Sequence, residues 1–105
     1  MRWIDKQFDR YLLSYKTGGG NELATIACYT SSPWQYMGRM VFYSENIPPN
    51  TTTGNNLPSL HFHASQFNDI IDILRHEKPL FLRLNTGSLN GELATSSEEI
   101  GEQEP

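Results

Sequence analysis

Apolar and polar side chains alternate along several short segments of the chain, a pattern typical of strands that bury one face. In the first of these segments, residues 7–16, single residues separate Tyr11, Leu13 and Tyr15. The same stretch also fits helical spacing, but the glycine-rich residues 17–21 follow at once and are typical of a hairpin turn. We therefore expect residues 7–16 to form a strand.

Five later segments also favour strands. They are residues 22–30, 36–45, 59–64, 80–85 and 92–95. Between the third and fourth strands, residues 46–58 contain three prolines and few apolar side chains. This composition predicts an exposed loop.

The clearest periodicity in the chain is helical and lies in residues 66–77. Apolar residues recur there at i, i+3, i+4 and i+7, namely Phe67, Ile70, Ile71 and Leu74. Ser65 is placed to cap the start of this helix, and Pro79 is placed to stop it. The pattern therefore predicts one amphipathic helix.

The predicted element order is β-β-β-β-α-β-β, which indicates the α+β class. A single domain, residues 1–105, fits the length of the chain. One amphipathic helix covers only one face of an antiparallel sheet. We therefore expect the opposite face of the sheet to be open.

The charge of the chain is unevenly placed. The whole sequence holds 8 basic and 12 acidic residues, a net charge of −4. Residues 92–105 carry five glutamates and no basic residue, whereas residues 1–91 have a net charge of +1. The acidity thus belongs mainly to the predicted acidic tail, residues 96–105, and does not exclude nucleic acid as a partner of the remaining chain.

Cysteine usage and the first residues bear on the cellular compartment. Cys28 is the only cysteine, so no intramolecular disulfide can form. Residues 1–6 mix charges without an apolar core, and no apolar run approaches the length needed to span a bilayer. We expect a cytoplasmic protein that does not enter membranes.

Aromatic and basic residues are interleaved in the first half of the chain. Proteins that bind single-stranded nucleic acid combine aromatic side chains, which stack on bases, with basic side chains, which bind phosphates. The candidate phosphate contacts are Arg10, Lys16 and Arg39, and the candidate stacking residues are Tyr29, Trp34 and Tyr43. The alternative reading is that many of these aromatic side chains pack in the core of the sheet.

Two histidines offer a second kind of site. His61 and His63 lie two residues apart on a predicted strand, so both imidazoles would share one face and could chelate a metal ion. His76 or a glutamate is the candidate third ligand. No phosphate-binding loop or nucleophile elbow occurs in the sequence. We therefore expect neither a catalytic residue, nor enzymatic activity, nor a cofactor.

Residues 60–85, LHFHASQFNDIIDILRHEKPLFLRLN, followed by ELATSSEEIGEQEP, resemble a family of small uncharacterised cyanobacterial proteins. That family is similar in fold to the single-stranded-DNA-binding transcriptional regulators, which include the Whirly proteins and positive cofactor four. The resemblance implies a curved antiparallel sheet with the helix packed on one face, often assembled into dimers. It also implies that the sheet and its hairpins bind a single strand.

Two functions follow as hypotheses. The first is a small binding module, a homodimer through the helix at residues 66–77, which binds single-stranded DNA or RNA on the open sheet face. The second is a dimeric protein-interaction or regulatory module with no nucleic-acid role. The charge on the open sheet face distinguishes them, because a basic face favours the first and a neutral or acidic face favours the second.

Overall fold

The computed structural model describes residues 2–96, which fold into strands, one 3-10 turn and one α-helix. The strands are β1 (Trp3–Phe8), β2 (Arg10–Tyr15), β3 (Glu22–Ser31), β4 (Trp34–Tyr43), β5 (Thr51–Thr52), β6 (Pro58–His63), β7 (Leu80–Asn85) and β8 (Gly91–Thr95). The 3-10 turn (Ala64–Gln66) and helix α1 (Phe67–His76) lie between β6 and β7. The predicted α+β class is confirmed. Apart from Ser96, the predicted acidic tail lies outside the described residues.

The strands divide between two sheets, whereas the sequence predicted one. The first sheet has the order β1-β7-β8, and the second has the order β2-β3-β4-β6-β5. The segment predicted as one strand at residues 7–16 bends at Asp9, where the chain passes from the first sheet to the second. Ile4 and Phe8 of β1 pair with residues of β7 far along the chain. Local periodicity does not contain this long-range pairing.

One strand pair is parallel, which departs from the predicted antiparallel sheet. Strands β4 and β6 run in the same direction, with Arg39 beside Ser59, while the other pairs are antiparallel. Parallel neighbours require a crossover connection of about a dozen residues or more. Residues 44–57, which include most of the predicted loop at 46–58, form this crossover and contain the short strand β5.

The start of the helical segment differs in detail from the prediction. The predicted N-cap, Ser65, is wrong, because His63 caps this segment. His63 Nδ1 accepts a hydrogen bond from the Ser65 backbone N–H at 3.0 Å, and the Gln66 side chain accepts one from the His63 backbone N–H at 3.2 Å. This reciprocal pair is a capping box with histidine in the place of serine or threonine. The α-helix ends at His76, before Pro79 as predicted.

The two sheets and the helix share one hydrophobic core. Its buried members are Phe8, Ala24, Ile26, Cys28, Met40, Phe42, Leu60, Ile70, Leu80, Leu82 and Leu84. The remaining apolar residues of the helix also pack against this core, including Ile73, which lies off the main apolar stripe. The helix therefore packs its apolar side chains against the core of its own chain, with Ile70 buried and the others partly buried.

The second sheet turns its other face away from the core. Strand alternation and register place the following side chains on that face, here called the open face: Arg10, Leu12, Ser14, Glu22, Thr25, Ala27, Tyr29, Trp34, Tyr36, Arg39, Val41, Tyr43, Ser59, His61 and His63. Near the crossover this face is covered, since Val41 and Ser59 are buried and the Pro48 carbonyl contacts the His61 side chain. In the described part of the chain, no helix has the length and apolar character needed to cross a membrane.

Candidate functional site

The structure brings the six predicted nucleic-acid contacts to one face. Directly opposed strand residues share a face, and Arg10 pairs with Tyr29 while Arg39 pairs with Ala27. Lys16 follows β2 and contacts the open-face residue Glu22. The full set on this side of the sheet is Arg10, Lys16, Tyr29, Trp34, Arg39 and Tyr43.

A β-bulge in β4 decides which aromatic side chains reach the open face. Cys28 of β3 pairs with Gly38, but the next residue, Tyr29, pairs with Tyr36, so Met37 is an extra residue in β4. Met37 packs against the core. Strict alternation from Arg39 would turn residues 34 and 36 inward, and the bulge turns them outward instead.

Three aromatic rings form a row on the open face, here called the aromatic row (Trp34, Tyr29 and Tyr36). The Trp34 and Tyr29 rings are stacked, with centroids 4.6 Å apart and planes 17° apart. The Tyr36 ring lies 5.5 Å from Tyr29 at 56°. Trp34 is 57% exposed, whereas both tyrosines are half-buried. Trp34 is therefore the member of the row that offers a ring to a planar ligand, while Tyr29 supports it from behind.

Tyr36 is not among the site residues predicted from the sequence. Its pKa is raised by burial, and the opposing effect of the Arg39 charge is smaller. The signal that could have revealed it is Gly38, because a glycine inside a strand often marks a bulge. Adding a Cβ at Gly38 would place it 2.6 Å from the Pro58 carbonyl oxygen and 2.8 Å from Leu82 Cδ1.

Two arginines lie beside the aromatic row. Arg10 is exposed and pairs across the strands with Tyr29. Arg39 is half-buried, and its Nε donates a hydrogen bond to Ser59 Oγ at 2.8 Å. This bond restrains one edge of the guanidinium group and thereby fixes the position of its charge on the open face.

Behind Arg39, a chain of hydrogen bonds joins β4, β6 and the crossover. The Ser59 hydroxyl lies 2.9 Å from His61 Nε2, and His61 Nδ1 lies 3.2 Å from the Pro48 carbonyl oxygen. A carbonyl oxygen only accepts, so His61 Nδ1 donates to it, and in the neutral imidazole Nε2 then accepts from the serine hydroxyl. Ser59 is fully buried. This serine–histidine pair therefore holds Arg39 and the crossover in place, with the hydroxyl out of reach of a substrate.

At the other end of the open face, charges are paired. Lys16 Nζ lies 2.7 Å from Glu22 Oε2, and the Thr25 hydroxyl donates to the same oxygen at 3.0 Å. The hydrogen bond from Lys16 lowers the pKa of the Glu22 carboxyl, with burial opposing it. Tyr43 meets the His61 ring edge-on at 5.4 Å, and burial raises the pKa of its phenol. This end thus offers less free charge than the end with the aromatic row.

The structure gives no support to the metal site predicted at His61 and His63. Both ring nitrogens of His61 are hydrogen-bonded, and His63 Nδ1 caps the helical segment. His76 bonds instead to Asp72. Among residues 2–96, no group of three or more His, Cys, Asp or Glu side chains is placed to hold a metal ion.

A separate groove of about 540 Å³ lies between the β1–β2 bend and the end of the helix. Its apolar wall includes Phe8 and Leu80, and its rim carries charges of both signs, among them Asp9, Arg75 and Lys78. This mixture does not favour one class of ligand. None of the predicted site residues lies in it.

Comparisons with models of known protein families, with curated proteins and with solved structures found no match. The resemblance to the single-stranded-DNA-binding regulators thus stays a prediction. The functional argument rests on the geometry of the open face.

Proposed function

We propose that this chain binds single-stranded nucleic acid on the open face. The observation that carries the proposal is the aromatic row, in which Trp34 presents an exposed ring supported by Tyr29. Arg10 lies opposite Tyr29, and Arg39 lies further along β4 on the same face. A ring of this kind stacks on any unpaired base, and arginines bind the adjoining phosphates. Bases in a duplex are stacked on one another, so the same row favours single strands.

The charge of the open face supports the same reading. Three basic side chains, Arg10, Lys16 and Arg39, lie on this side of the sheet. Two carboxylates oppose them: Glu22, which is paired with Lys16, and Asp9, which accepts a hydrogen bond from Ser31, the residue opposite Trp34. The charge that opposes nucleic acid in the whole chain belongs largely to residues 92–105. The face is thus mildly basic, and we expect weak binding that depends strongly on salt.

The direct test is fluorescence anisotropy of a labelled oligothymidine, titrated with the full chain at low salt. Each stacked base contributes about 1–3 kcal/mol, so Trp34→Ala should weaken binding by about 5-fold to 150-fold. If Arg10 and Arg39 each bind one phosphate, the plot of log K against log salt should have a slope of about −1.4, and Arg39→Gln should reduce it by about 0.7.

The chain supplies a matched control. Trp3 is also exposed, but it lies on the first sheet, and its ring packs against Arg83 at 4.5 Å. Trp3→Ala should therefore leave oligothymidine binding unchanged. The proposal fails if the two tryptophan variants bind alike, if a duplex of the same length competes equally well, or if the wild-type chain shows no binding at the lowest salt.

The second candidate function is a protein-interaction module with no nucleic-acid role. The observation that favours it is the exposure of Leu12 and Leu13 on β2, at the edge of the second sheet. In that case the oligonucleotide titration stays flat, while the protein still associates through this edge.

The homodimer predicted through the helix at residues 66–77 stays a prediction. Ile73 lies off the main apolar stripe of this helix, where a second copy could cover it. In the structure, Ile73 packs against the core of its own chain. The packing of Ile73 therefore removes one reason to expect a partner on the helix.

The cytoplasmic location also stays a prediction.

A further inference from the structure

We propose that a second copy of this chain pairs antiparallel with the free edge of β2. This strand ends the order of the second sheet, so one side of its backbone has no neighbouring strand among the described residues. The Lys16 N–H donates to the Leu23 carbonyl on β3. Because backbone groups alternate in an antiparallel pair, those of Tyr11, Leu13 and Tyr15 point to the free edge.

The side chains of β2 are unusual for an open edge. Leu12 is 54% exposed on the open face, and Leu13 is 48% exposed on the opposite face. Edge strands are normally protected by a proline, a bulge or charged side chains. Apart from Arg10 at its start, β2 contains none of these. The edge therefore offers both unpaired backbone groups and apolar side chains to an incoming strand.

Pairing with a second copy of β2 provides partners for the backbone groups and covers the apolar side chains in one register. In a symmetric antiparallel pair, directly opposed residues lie on the same face of the sheet. The two-fold axis must therefore pass midway between one residue and the same residue of the second copy. An axis at Leu12 sets Leu12 against itself and Leu13 against Tyr11 of the second copy. An axis at Leu13 would instead set Arg10 against Lys16 of the second copy, and opposed like charges destabilise a strand pair. We therefore assign the axis to Leu12.

This pairing would join two five-stranded sheets into one ten-stranded sheet. Both open faces would lie on the same side of it, and each would retain its own aromatic row. The inference does not depend on the proposed nucleic-acid binding, because it concerns the backbone edge and not the aromatic row. Association measured without any oligonucleotide tests it separately.

The register is tested by disulfide trapping in the full chain. In the assigned register, the two Leu12 Cα atoms form a non-hydrogen-bonded pair about 4.5 Å apart, within the range that a disulfide spans. The two Leu13 positions are then diagonal neighbours about 7–8 Å apart, beyond that range. With oxidised glutathione as the electron acceptor, Leu12→Cys should give a covalent dimer and Leu13→Cys should not. The buried thiol of Cys28 leaves the wild-type chain as the uncrosslinked control.

Light scattering of the uncrosslinked protein gives the second measurement. The wild-type chain should dimerise, and Leu12→Lys should weaken the dimer by tenfold or more because it opposes two ammonium groups at the axis. Ile47→Lys changes a residue of similar exposure in the crossover and should have no effect. A wild-type monomer at high concentration, a dimer indifferent to Leu12→Lys, or trapping by Leu13→Cys alone would each overturn the proposal.

Discussion

Replacing Ser59 with alanine removes the centre of the hydrogen-bond chain behind the open face. The hydroxyl accepts from Arg39 Nε at 2.8 Å and lies 2.9 Å from His61 Nε2, to which it donates. Ser59 is fully buried, so water cannot take the place of the hydroxyl without a local rearrangement. The substitution therefore leaves one donor and one acceptor without their partner.

The size of the effect follows from the two bonds. A hydrogen bond to a charged group is worth about 1.5–3 kcal/mol, and one between neutral groups about 0.5–1.5 kcal/mol. Arg39 and His61 are only half-buried and can recover part of this from solvent. We therefore expect Ser59→Ala to lower the free energy of unfolding by about 2 kcal/mol, which corresponds to a fall in Tm of about 8–16 °C for a domain of this size.

Urea unfolding followed by circular dichroism measures this loss, with calorimetry for Tm. Ser14→Ala is the matched control, because Ser14 is an exposed serine on the same face, and its replacement should change stability by less than about 0.5 kcal/mol. A double-mutant cycle with His61→Ala should give a coupling of about 1 kcal/mol. The reasoning is refuted if Ser59→Ala is no more destabilising than Ser14→Ala, or if the cycle shows no coupling.

Three further predictions follow from single sites. Gly38→Ala should lower the free energy of unfolding by about 2–4 kcal/mol, because φ is 133° and a Cβ would meet the Pro58 carbonyl oxygen at 2.6 Å; Gly54→Ala, with open space around it, is the control in the same urea assay. Burial raises the pKa of the Cys28 thiol, so a thiol-reactive disulfide reagent should modify it no faster than the chain unfolds, even at alkaline pH, and rapid modification of the native protein would contradict this. The Lys16 contact lowers the pKa of Glu22 from its ordinary value of 4.5, so this ion pair stabilises the fold above pH 4.5 and its contribution is lost as pH falls through the lowered pKa. The difference in stability between wild type and Lys16→Gln should therefore disappear in acid. A difference that does not change with pH would show that the ion pair is not its cause.

Local patterning was enough for most elements of this fold. The helix at residues 66–77 and the strands at 22–30, 59–64 and 80–85 agree with the structure to within one or two residues, apart from the opening 3-10 turn. In each of them, the apolar spacing that predicts the element is also the spacing that buries it. The cap was misassigned because a histidine side chain took the role usually filled by serine or threonine.

The arrangement of the strands was beyond local patterning. Ile4 and Phe8 are four residues apart, as on one face of a helix, and only the pairing with β7, near the other end of the sequence, makes residues 3–8 a strand. The parallel pairing of β4 with β6 likewise depends on the path of residues 44–57 over the sheet. Neither fact leaves a periodic signal, because each is a contact between distant segments.

The composition of the aromatic row shows how one local irregularity couples the fold to the candidate site. Arg39 and Tyr29 reach the open face by plain alternation, but Trp34 and Tyr36 reach it only because Met37 is the extra residue of a bulge. Gly38 allows that bulge, since its φ of 133° and its contact with Pro58 leave no room for a side chain. The residue that decides whether an exposed tryptophan shares a face with two arginines is therefore a buried glycine without a functional group. The face that a strand residue occupies therefore depends on the bulges in its strand as well as on its place in the alternation.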